Sequence, residues 1–301
     1  MKNKNLLGTA ELLIAAFIWG STFVAQSEGM NFVGPLTYIT VRFAIGGAVL
    51  VPVFLLKDLF VKKKTKAKLK TDLKSLLLGG FVCGVILTVA ATLQQYGIVD
   101  TSVGNAGFIT TLYVVFVPIC GIFFKKFPAI NVWVAVVIAT VGLYLLCITD
   151  RFVLGLGDTL VLLCAVCFTF HILALDYFVE KIDPVKLSCV QFFTVSLLTS
   201  VPAIVLEHNS ITAILNAWFP ILWAGILSSG VAYTLQTVAQ KNAEPTIAAI
   251  TMSLESVFAI ISGAVVLGEI PTPRKLLGSI IMFLAIILAQ LPAKWFRFKK
   301  I

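Results

Sequence analysis

The chain has 301 residues, of which 59% are apolar and 12% are charged, and its mean hydropathy is +1.02. Soluble domains carry about 25% charged residues, so this composition excludes an ordinary soluble protein. The net charge of +9 does not require a nucleic-acid partner, because the basic residues fall mostly in short segments between apolar stretches.

Ten apolar stretches follow one another along the chain, each close to the roughly 20 residues that cross a bilayer as a helix. Glu11 interrupts the first stretch and nine more follow it, so we interpret this stretch as a retained helix rather than a cleaved signal peptide. The sequence therefore predicts an all-α membrane protein with ten transmembrane helices and no soluble domain. The stretches, numbered spans 1 to 10, cover about residues 7–26, 35–56, 75–97, 102–124, 129–148, 158–179, 185–206, 217–240, 246–267 and 275–293.

Spans 1 and 2 carry three side chains that stand out from their apolar surroundings. Trp19 and Thr22 in span 1 fit either a substrate contact or packing in the core. Arg42 lies about two turns into span 2, where a long side chain can snorkel towards polar surroundings or bond backbone carbonyls. We therefore assign Arg42 a structural role.

Spans 4 and 6 contribute two further candidates. Asn105, early in span 4, can bond a substrate or cap a helical turn. His171, within span 6, can exchange a proton at physiological pH, although a lone histidine on an apolar helix also fits packing. Cys164 and Cys167 share a helix face with His171, but no further ligands lie near them in sequence, so no metal site is predicted. The six cysteines all fall inside spans, which argues against a disulfide framework.

Span 8 has a polar stripe formed by Ser229, Tyr233, Gln236 and Gln240, at positions i, i+4, i+7 and i+11. A helix that faces lipid would not carry these side chains on one face, so the stripe predicts that they point into the protein. They either line a substrate path or form hydrogen bonds between helices.

Glu255 lies near the middle of span 9, where an ionisable group costs about 2.5–3.5 kcal/mol on insertion scales. A carboxyl group in this position can carry a proton or bind the ammonium group of a substrate. The alternative is a structural carboxylate that bonds a neighbouring helix. Glu255 and His171 are the candidates for proton coupling. The face of span 9 around Glu255 is small and polar, with Ala248, Thr251, Met252, Ala259 and Ser262.

The second half of the chain repeats the first half. Shifting residues 93–124 by 142 positions superimposes eight identical residues in 32. By this repeat Gln94 in span 3 is the counterpart of Gln236, and Tyr113 in span 4 is the counterpart of Glu255. Both Gln94 and Tyr113 therefore become candidates for substrate binding, opposite a carboxylate from the other copy.

An offset of 149 relates the earlier spans of the two copies and pairs Pro35 with Pro184 and Thr22 with His171. Each copy has five spans, an odd number, so the two copies cross the membrane in opposite senses. This is the inverted-repeat organisation of transporters, whose binding site lies between the copies near the bilayer midplane. We assign residues 1–150 to the first repeat and residues 151–301 to the second.

The basic residues orient the chain. If the N-terminus is inside, nearly all of the 23 lysines and arginines fall in inner loops and tails; the outer loops hold only Arg151, Arg274 and Lys275. This distribution follows the positive-inside rule and predicts that both termini are cytoplasmic.

Six short motifs resemble the drug/metabolite transporter superfamily, and in particular its ten-helix members built from two EamA domains. They occur in order along the whole chain as Phe17–Phe23, Val41–Phe43, Thr101–Ala106, Leu112–Pro118, Leu254–Phe258 and Leu267–Glu269. Ser256 departs from the proline that usually follows the Glu in this family, which removes the usual reason to expect a kink in span 9. The resemblance implies that spans 1, 3, 4, 6, 8 and 9 enclose a cavity and that spans 5 and 10 pack outside it.

The resemblance further implies a secondary transporter in a prokaryotic cytoplasmic membrane, commonly an exporter of amino acids or other small metabolites, that works by alternating access. No phosphate-binding loop is present and no cofactor is expected. A multidrug, cationic-compound or nucleoside transporter of the same fold is the alternative. An intramembrane enzyme lacks the paired catalytic groups it would need, and a channel lacks a filter-like loop. The expected partners are a small-molecule substrate, protons and the lipid bilayer. The sequence leaves two oligomeric states open for the protein, a monomer and a homodimer.

Overall fold

The computed structural model describes residues 2–65, 72–101, 103–147, 155–267 and 272–291, and these ranges fold into helices with no strand. We label the membrane helices α1 to α10 to match spans 1 to 10. A short helix, Ile211–Asn216, precedes α8. The bounds are α1 Lys2–Gly29, α2 Pro35–Thr65, α3 Leu73–Asp100, α4 Val103–Thr111 and Tyr113–Phe123, α5 Ile130–Cys147, α6 Leu156–Val179, α7 Pro184–Leu206, α8 Trp218–Leu222, Trp223–Ala232 and Tyr233–Gln240, α9 Pro245–Met252 and Glu255–Leu267, and α10 Pro273–Gln290.

Local sequence explains where several helices begin. Asp72 accepts hydrogen bonds from the backbone of the first turn of α3, and Thr272 does the same for α10. Asp183 caps α7, whose first residue is Pro184. Short polar side chains satisfy the free N–H groups of a first turn, and proline fits there because its missing N–H has no partner to lose.

Nine of the helices described are long and apolar enough to cross a membrane, and α5 contributes a shorter apolar segment, Ile130–Leu145. Large apolar side chains such as Leu197 and Ile204 cover the outside of the bundle, whereas Gln94, Gln95 and other polar side chains are buried inside. This distribution fits a bundle whose solvent is lipid. The prediction of an all-α membrane protein is confirmed.

The helices pack with a pseudo-two-fold symmetry that exchanges α1 with α6, α2 with α7, α3 with α8, α4 with α9 and α5 with α10. The pairs α2–α7, α4–α9 and α5–α10 are in contact, and each maps onto itself. The contact of α3 with α6 has its counterpart in that of α8 with α1, and the contact of α3 with α7 in that of α8 with α2. The five-helix units are thus inverted repeats, as the duplication predicted.

Helices α4 and α9 are both interrupted, and at equivalent positions of the repeat. In α4 the hydroxyl of Thr111 donates to the carbonyl oxygens of Gly107 and Phe108. In α9 the hydroxyl of Ser253, which corresponds to Thr111, donates to the carbonyl oxygen of Ile250 at 2.7 Å. Both backbones tighten to three-residue spacing at these points. Helix α9 is therefore interrupted without a proline.

The first half of α4 packs on the second half of α9, and the second half of α4 packs on the first half of α9. The two helices therefore run in opposite directions where they cross. Their crossing lies at the pseudo-two-fold axis, so the two interruptions face each other in the middle of the molecule.

Candidate functional site

A cavity with a volume of about 40 Å³ lies in the middle of the bundle, between the two repeats. Fourteen side chains line it, seven from each repeat. Ligand pockets usually measure about 300–1,000 Å³, so this cavity is contracted. A molecule larger than a few waters can enter only if the helices around it separate.

The cavity follows the symmetry of the fold. Ten of its lining residues form five pairs that are equivalent in the repeat, whereas Gln26, Arg42, Ser228 and Tyr233 line the cavity without an equivalent partner there. The cavity therefore lies on the pseudo-two-fold axis, and its asymmetry comes from a few side chains. The pairs are Trp19 with Phe168, Phe23 with Ile172, Gln94 with Gln236, Thr110 with Met252, and Tyr113 with Glu255.

Glu255 and Tyr113 meet where α4 crosses α9. The hydroxyl of Tyr113 donates to Oε1 of Glu255 at 3.1 Å, and both residues are buried. Helix α1 approaches α9 closely here: a Cβ on Gly20 would lie 2.6 Å from the carbonyl oxygen of Glu255. The interruption after Ser253 makes Glu255 the first residue of the second segment of α9. The carboxylate is thus fixed at the centre by its own helix, by a phenol of the other repeat and by α1.

Amide side chains form a second polar wall. Gln26 Nε2 donates to Oε1 of Gln95 at 2.9 Å and to Oε1 of Gln94 at 3.3 Å, and Gln94 Nε2 donates to the hydroxyl of Thr110 at 3.3 Å. Across the cavity, Oε1 of Gln236 is buried without a hydrogen-bond partner. Gln26 was not predicted, although it lies seven residues after Trp19, a spacing that returns a helix to the same face.

A π-helical segment changes the predicted stripe of α8. Residues Trp223–Ala232 form i to i+5 hydrogen bonds, which widen each turn. Five residues before Tyr233, Ser228 lines the cavity. The α-helical spacing predicts that Ser229 faces the cavity. Instead it packs against Gly46 of α2: a Cβ built on Gly46 would lie 2.6 Å from the Cβ of Ser229. After Tyr233 the inward-facing positions are those that the α-helical spacing predicts. Before Tyr233 they are shifted by one residue.

Tyr233 forms the aromatic side of the cavity. Its ring centroid lies 4.8 Å from that of Trp19, 5.9 Å from that of Phe43 and 6.3 Å from that of His171. The Nε1 donor of Trp19 is buried without a partner. These rings provide an apolar surface beside the polar groups.

Two other predicted residues, His171 and Thr22, lie outside the lining, and a third cannot be placed. His171 is behind Tyr233, and its Nε2 lies 3.0 Å from Oε1 of Gln191. Thr22 is buried and donates to the carbonyl oxygen of Ile18 at 2.7 Å. Asn105 belongs to the first segment of α4, but its side chain lies outside the part of the chain that the structure describes.

Arg42 is another lining residue that sequence reasoning missed. It is 1% exposed, so it does not snorkel, and its Nε and Nη2 donors have no hydrogen-bond partner. Its guanidinium lies 4.7 Å from the centroid of the Phe43 ring and 5.8 Å from that of Tyr38. The repeat gives a signal that could have marked this position, because its counterpart Gln191 is also polar.

A wider polar opening of about 380 Å³ lies at the end of the bundle where α4, α6 and α8 finish. We call this the basic end, because Lys57, Lys126, Lys186 and Lys241 lie there. Gln240 lines the opening and donates to the carbonyl oxygen of Ile172 at 3.0 Å. Since Ile172 also lines the central cavity, a single turn of α6 and α8 separates the two spaces.

The site offers hydrogen bonding, charge and aromatic surface for a small molecule. Among the described residues no cluster of three or more His, Cys, Asp or Glu side chains could hold a metal ion. The structure brings together six of the ten predicted site residues: Trp19, Gln94, Tyr113, Tyr233, Gln236 and Glu255.

Comparisons with known proteins agree with this architecture. A model of a family described as the EamA-like transporter family matches the chain twice, at residues 6–148 and 155–291. A protein of Archaeoglobus fulgidus described as an "uncharacterized transporter" is 31% identical over 290 residues, covering 96% of this chain and 87% of that protein. One crystal structure, 15% identical, has a TM-score of 0.79 and covers 99% of this chain and 100% of that one; at this identity the likeness concerns the fold.

Proposed function

The chain belongs to the EamA-like transporter family, and from that premise we propose that it is a secondary transporter of a small polar metabolite, an amino acid or a molecule of similar size. Transport would proceed by alternating access, in which the two repeats move against each other around the central cavity.

One observation carries the proposal: a buried polar cavity lies on the pseudo-two-fold axis and takes seven lining residues from each repeat. A site shared equally by inverted repeats can be opened to either side of a membrane by the same relative movement, applied in opposite senses. Its contracted volume supports the same proposal, because a substrate requires the repeats to separate.

The groups in the wall support a small polar substrate. Glu255, Gln94 and Gln236 offer charge and hydrogen bonds, and Trp19 and Tyr233 offer apolar surface. An amino acid combines both kinds of chemistry. A cationic compound is the second candidate, which the aromatic rings beside Glu255 favour, because cations bind the faces of aromatic rings.

We propose that the protein resides in a prokaryotic cytoplasmic membrane with the basic end facing the cytoplasm, where positive charge accumulates. The 380 Å³ opening at that end would then be the cytoplasmic entrance, and the transporter would act as an exporter. Glu255 is the proposed proton-coupling group, because its carboxyl group is buried in the cavity wall and bonds Tyr113 of the other repeat. His171 is the second candidate for this role.

The test of the function uses proteoliposomes that contain the purified full chain. Efflux of each of the common amino acids, of a nucleoside such as uridine and of the cation ethidium is measured with and without a pH gradient. For any transported probe, we expect Glu255→Gln to reduce flux by about 10- to 100-fold, the loss of a hydrogen bond to a charged group, or to abolish its dependence on the pH gradient.

Glu28→Gln is the matched control, because Glu28 is exposed and its carboxylate bonds the neighbouring Asn31. A thermal-shift measurement must show that both variants remain folded. Wild-type flux with unchanged pH dependence in Glu255→Gln would refute the role of Glu255. If His171→Gln alone removes the pH dependence, the coupling role passes to His171. Absence of flux for every probe would contradict the proposed function.

A further inference from the structure

We propose that Arg42 is the anion-binding group of the central cavity and that the transported molecule is a small zwitterion whose carboxylate pairs with it. This inference rests on the proposed function and specifies its substrate class. It concerns a residue to which the sequence pattern assigned no role in binding.

Arg42 places a charged guanidinium in the buried wall of the cavity. Arg42 is 1% exposed, and its Nε and Nη2 donors have no hydrogen-bond partner among the described residues. Its side chain lines the cavity. Arginine stays protonated in proteins, and a buried charge is retained at a cost unless something compensates it. The donors that lack partners belong to a residue of the cavity wall, so a bound anion can supply the compensation.

Arg42 has no counter-ion among the described residues. The ion pairs that the described residues form are Lys57–Asp183, Lys126–Asp176 and Lys186–Asp58. Arg42 takes part in none of them, although Glu255 lines the same cavity. Glu255 instead accepts a hydrogen bond from Tyr113. The cavity wall therefore holds a guanidinium and a carboxyl group that do not pair with each other.

Two aromatic rings lie beside the guanidinium of Arg42. Its guanidinium stacks over Phe43 at 4.7 Å and lies near Tyr38 at 5.8 Å. Both rings belong to α2, one beside Arg42 and one a turn away. Its donors without a partner, Nε and Nη2, share one edge of the guanidinium, and that edge matches the two oxygens of a carboxylate. Lysine would lack this geometry.

The hydrogen-bond donors and acceptors without a partner in the cavity wall come from different repeats. Trp19 Nε1 is a second donor without a partner, and Gln236 Oε1 is an acceptor without a partner. The wall thus offers donors from Arg42 and Trp19 of the first repeat, and acceptors from Gln236 and Glu255 of the second. A carboxylate uses the donors and an ammonium group uses the acceptors. A cation without a carboxylate would leave Arg42 unpaired and would be repelled by it.

The repeat explains why only one side carries the cation. The position equivalent to Arg42 is Gln191, whose Oε1 is bonded to His171 away from the cavity lining. A symmetric pair of arginines would favour a dianion. A single arginine facing a single glutamate favours a molecule with one charge of each sign.

The test measures binding to the purified full chain by thermal shift and by titration calorimetry. The probes are the common amino acids, isopentylamine, which is leucine without its carboxylate, 4-methylpentanoate, which is its close analogue without the ammonium group, and the uncharged or cationic probes uridine and ethidium. We expect one or more amino acids to bind wild type, and the probes without a carboxylate to bind weakly or not at all.

In Arg42→Gln, affinity for the bound amino acid should fall about 30-fold or more, the usual effect of removing one partner of a buried charge pair. Affinity for isopentylamine should stay the same or increase, because the repulsion by Arg42 is gone. Arg42→Lys should retain part of the amino-acid affinity. Arg274→Gln is the control, since Arg274 stacks on Tyr144 outside the cavity, and it should bind as wild type does.

A purely structural Arg42 would lower thermal stability without changing the preference between leucine and isopentylamine, and that result would overturn the inference. Wild-type binding of ethidium or uridine in preference to amino acids would also overturn it, while leaving the proposed transport function intact. If Arg42→Gln does not fold, Arg42→Lys and the wild-type preference decide the matter. Absence of binding by every probe would count against the proposed function itself.

Discussion

Buried polar side chains in this bundle divide into two groups. Many are satisfied within the protein: Thr22 bonds the carbonyl oxygen of Ile18, and Gln26 bonds two other glutamines. Others, among them Arg42 and Gln236, keep donors or acceptors without a partner, and these two line the cavity. Because an unsatisfied buried polar group costs about 1–3 kcal/mol, a ligand that bonds Arg42 and Gln236 would stabilise the site.

Asp183 is a residue whose effect on stability can be predicted. It accepts hydrogen bonds from the backbone N–H groups of Val185 and Lys186 and forms an ion pair with Lys57 at 2.6 Å. Burial alone would raise the pKa of Asp183, but the hydrogen bond and charge of Lys57, together with the two backbone donors, hold this pKa below its ordinary value. The charged carboxylate therefore stabilises the folded protein.

Because the folded pKa lies below the unfolded value of about 3.9, this stabilisation is complete above pH 4–5 and decreases as the pH falls through the folded pKa. We expect Asp183→Asn, which keeps the cap but loses the charge, to have a lower melting temperature than wild type at pH 7, and the difference to shrink as the pH falls through the folded pKa of Asp183. Asp183→Ala should be lower still, by about 1 kcal/mol for the lost cap. A difference between wild type and Asp183→Asn that does not change with pH would contradict the role of the charge.

At the scale of elements, the feature that organises the site is the paired interruption of α4 and α9. Thr111 and Ser253 occupy equivalent positions, and their hydroxyl groups bond carbonyl oxygens three or four residues earlier. The hydroxyl of Ser256 then donates to the carbonyl oxygen of Gly107 in the other repeat at 3.2 Å. Each helix thus restarts at the crossing, and Tyr113 and Glu255 are the first residues of the restarted segments.

This geometry predicts that Ser256 tolerates proline. Ser256 lies in the first turn of the segment Glu255–Leu267, where proline is accepted because the missing N–H costs little. Ser256→Pro should lower the free energy of unfolding by no more than about 1–2 kcal/mol, mainly through the lost hydrogen bonds to Gly107 and to the Ser253 carbonyl. The measurement is denaturant or thermal unfolding of the purified protein.

Ser262→Pro is the comparison, because Ser262 lies in the interior of the same segment. There proline removes a helical hydrogen bond and clashes with the preceding turn, at a cost of about 3 kcal/mol or more. Equal destabilisation by the two prolines would mean that α9 is continuous through residues 253–256.

At the scale of the whole molecule, the ion pairs that the described residues form join the two repeats at the basic end. Lys57 pairs with Asp183, Lys186 with Asp58, and Lys126 with Asp176 at 3.0 Å. Each pair has one member in each repeat. A movement of the repeats that widened the basic end between these residues would separate the partners, so under the proposed alternating access the pairs would break when that end opens.

The orientation of the whole molecule is tested by labelling. In a variant without the native cysteines, cysteine is introduced at Asn31, between α1 and α2, or at Asn242, between α8 and α9; both residues are exposed. If the basic end is cytoplasmic, a membrane-impermeant maleimide should label Asn31→Cys on intact cells and Asn242→Cys only after the cells are opened. Labelling of both sites from one side would contradict the topology, and exchanged accessibility would reverse the proposed orientation.

The sequence by itself determined the number of helices, the duplication, and six of the positions that meet at the centre. Apolar length defines a span without tertiary information, and two copies with the same spacing must place equivalent residues on either side of one axis. For this reason the duplication alone relates Gln94 to Gln236 and Tyr113 to Glu255. Ten helices and their inverted order followed from the same two properties.

Only the tertiary structure decided the phase of α8, the position of Arg42 and the interruption of α9. The π-helical turns place Ser228 in the cavity wall instead of Ser229, and this segment packs against α2. From the sequence alone Arg42 is interpreted as a snorkelling residue. The spacing of residues gives the face of a helix on which a side chain lies, but not which segment packs on that face. The direction in which a buried polar group such as Gln26 points is set by contacts between distant segments, and those contacts exist only in the folded bundle.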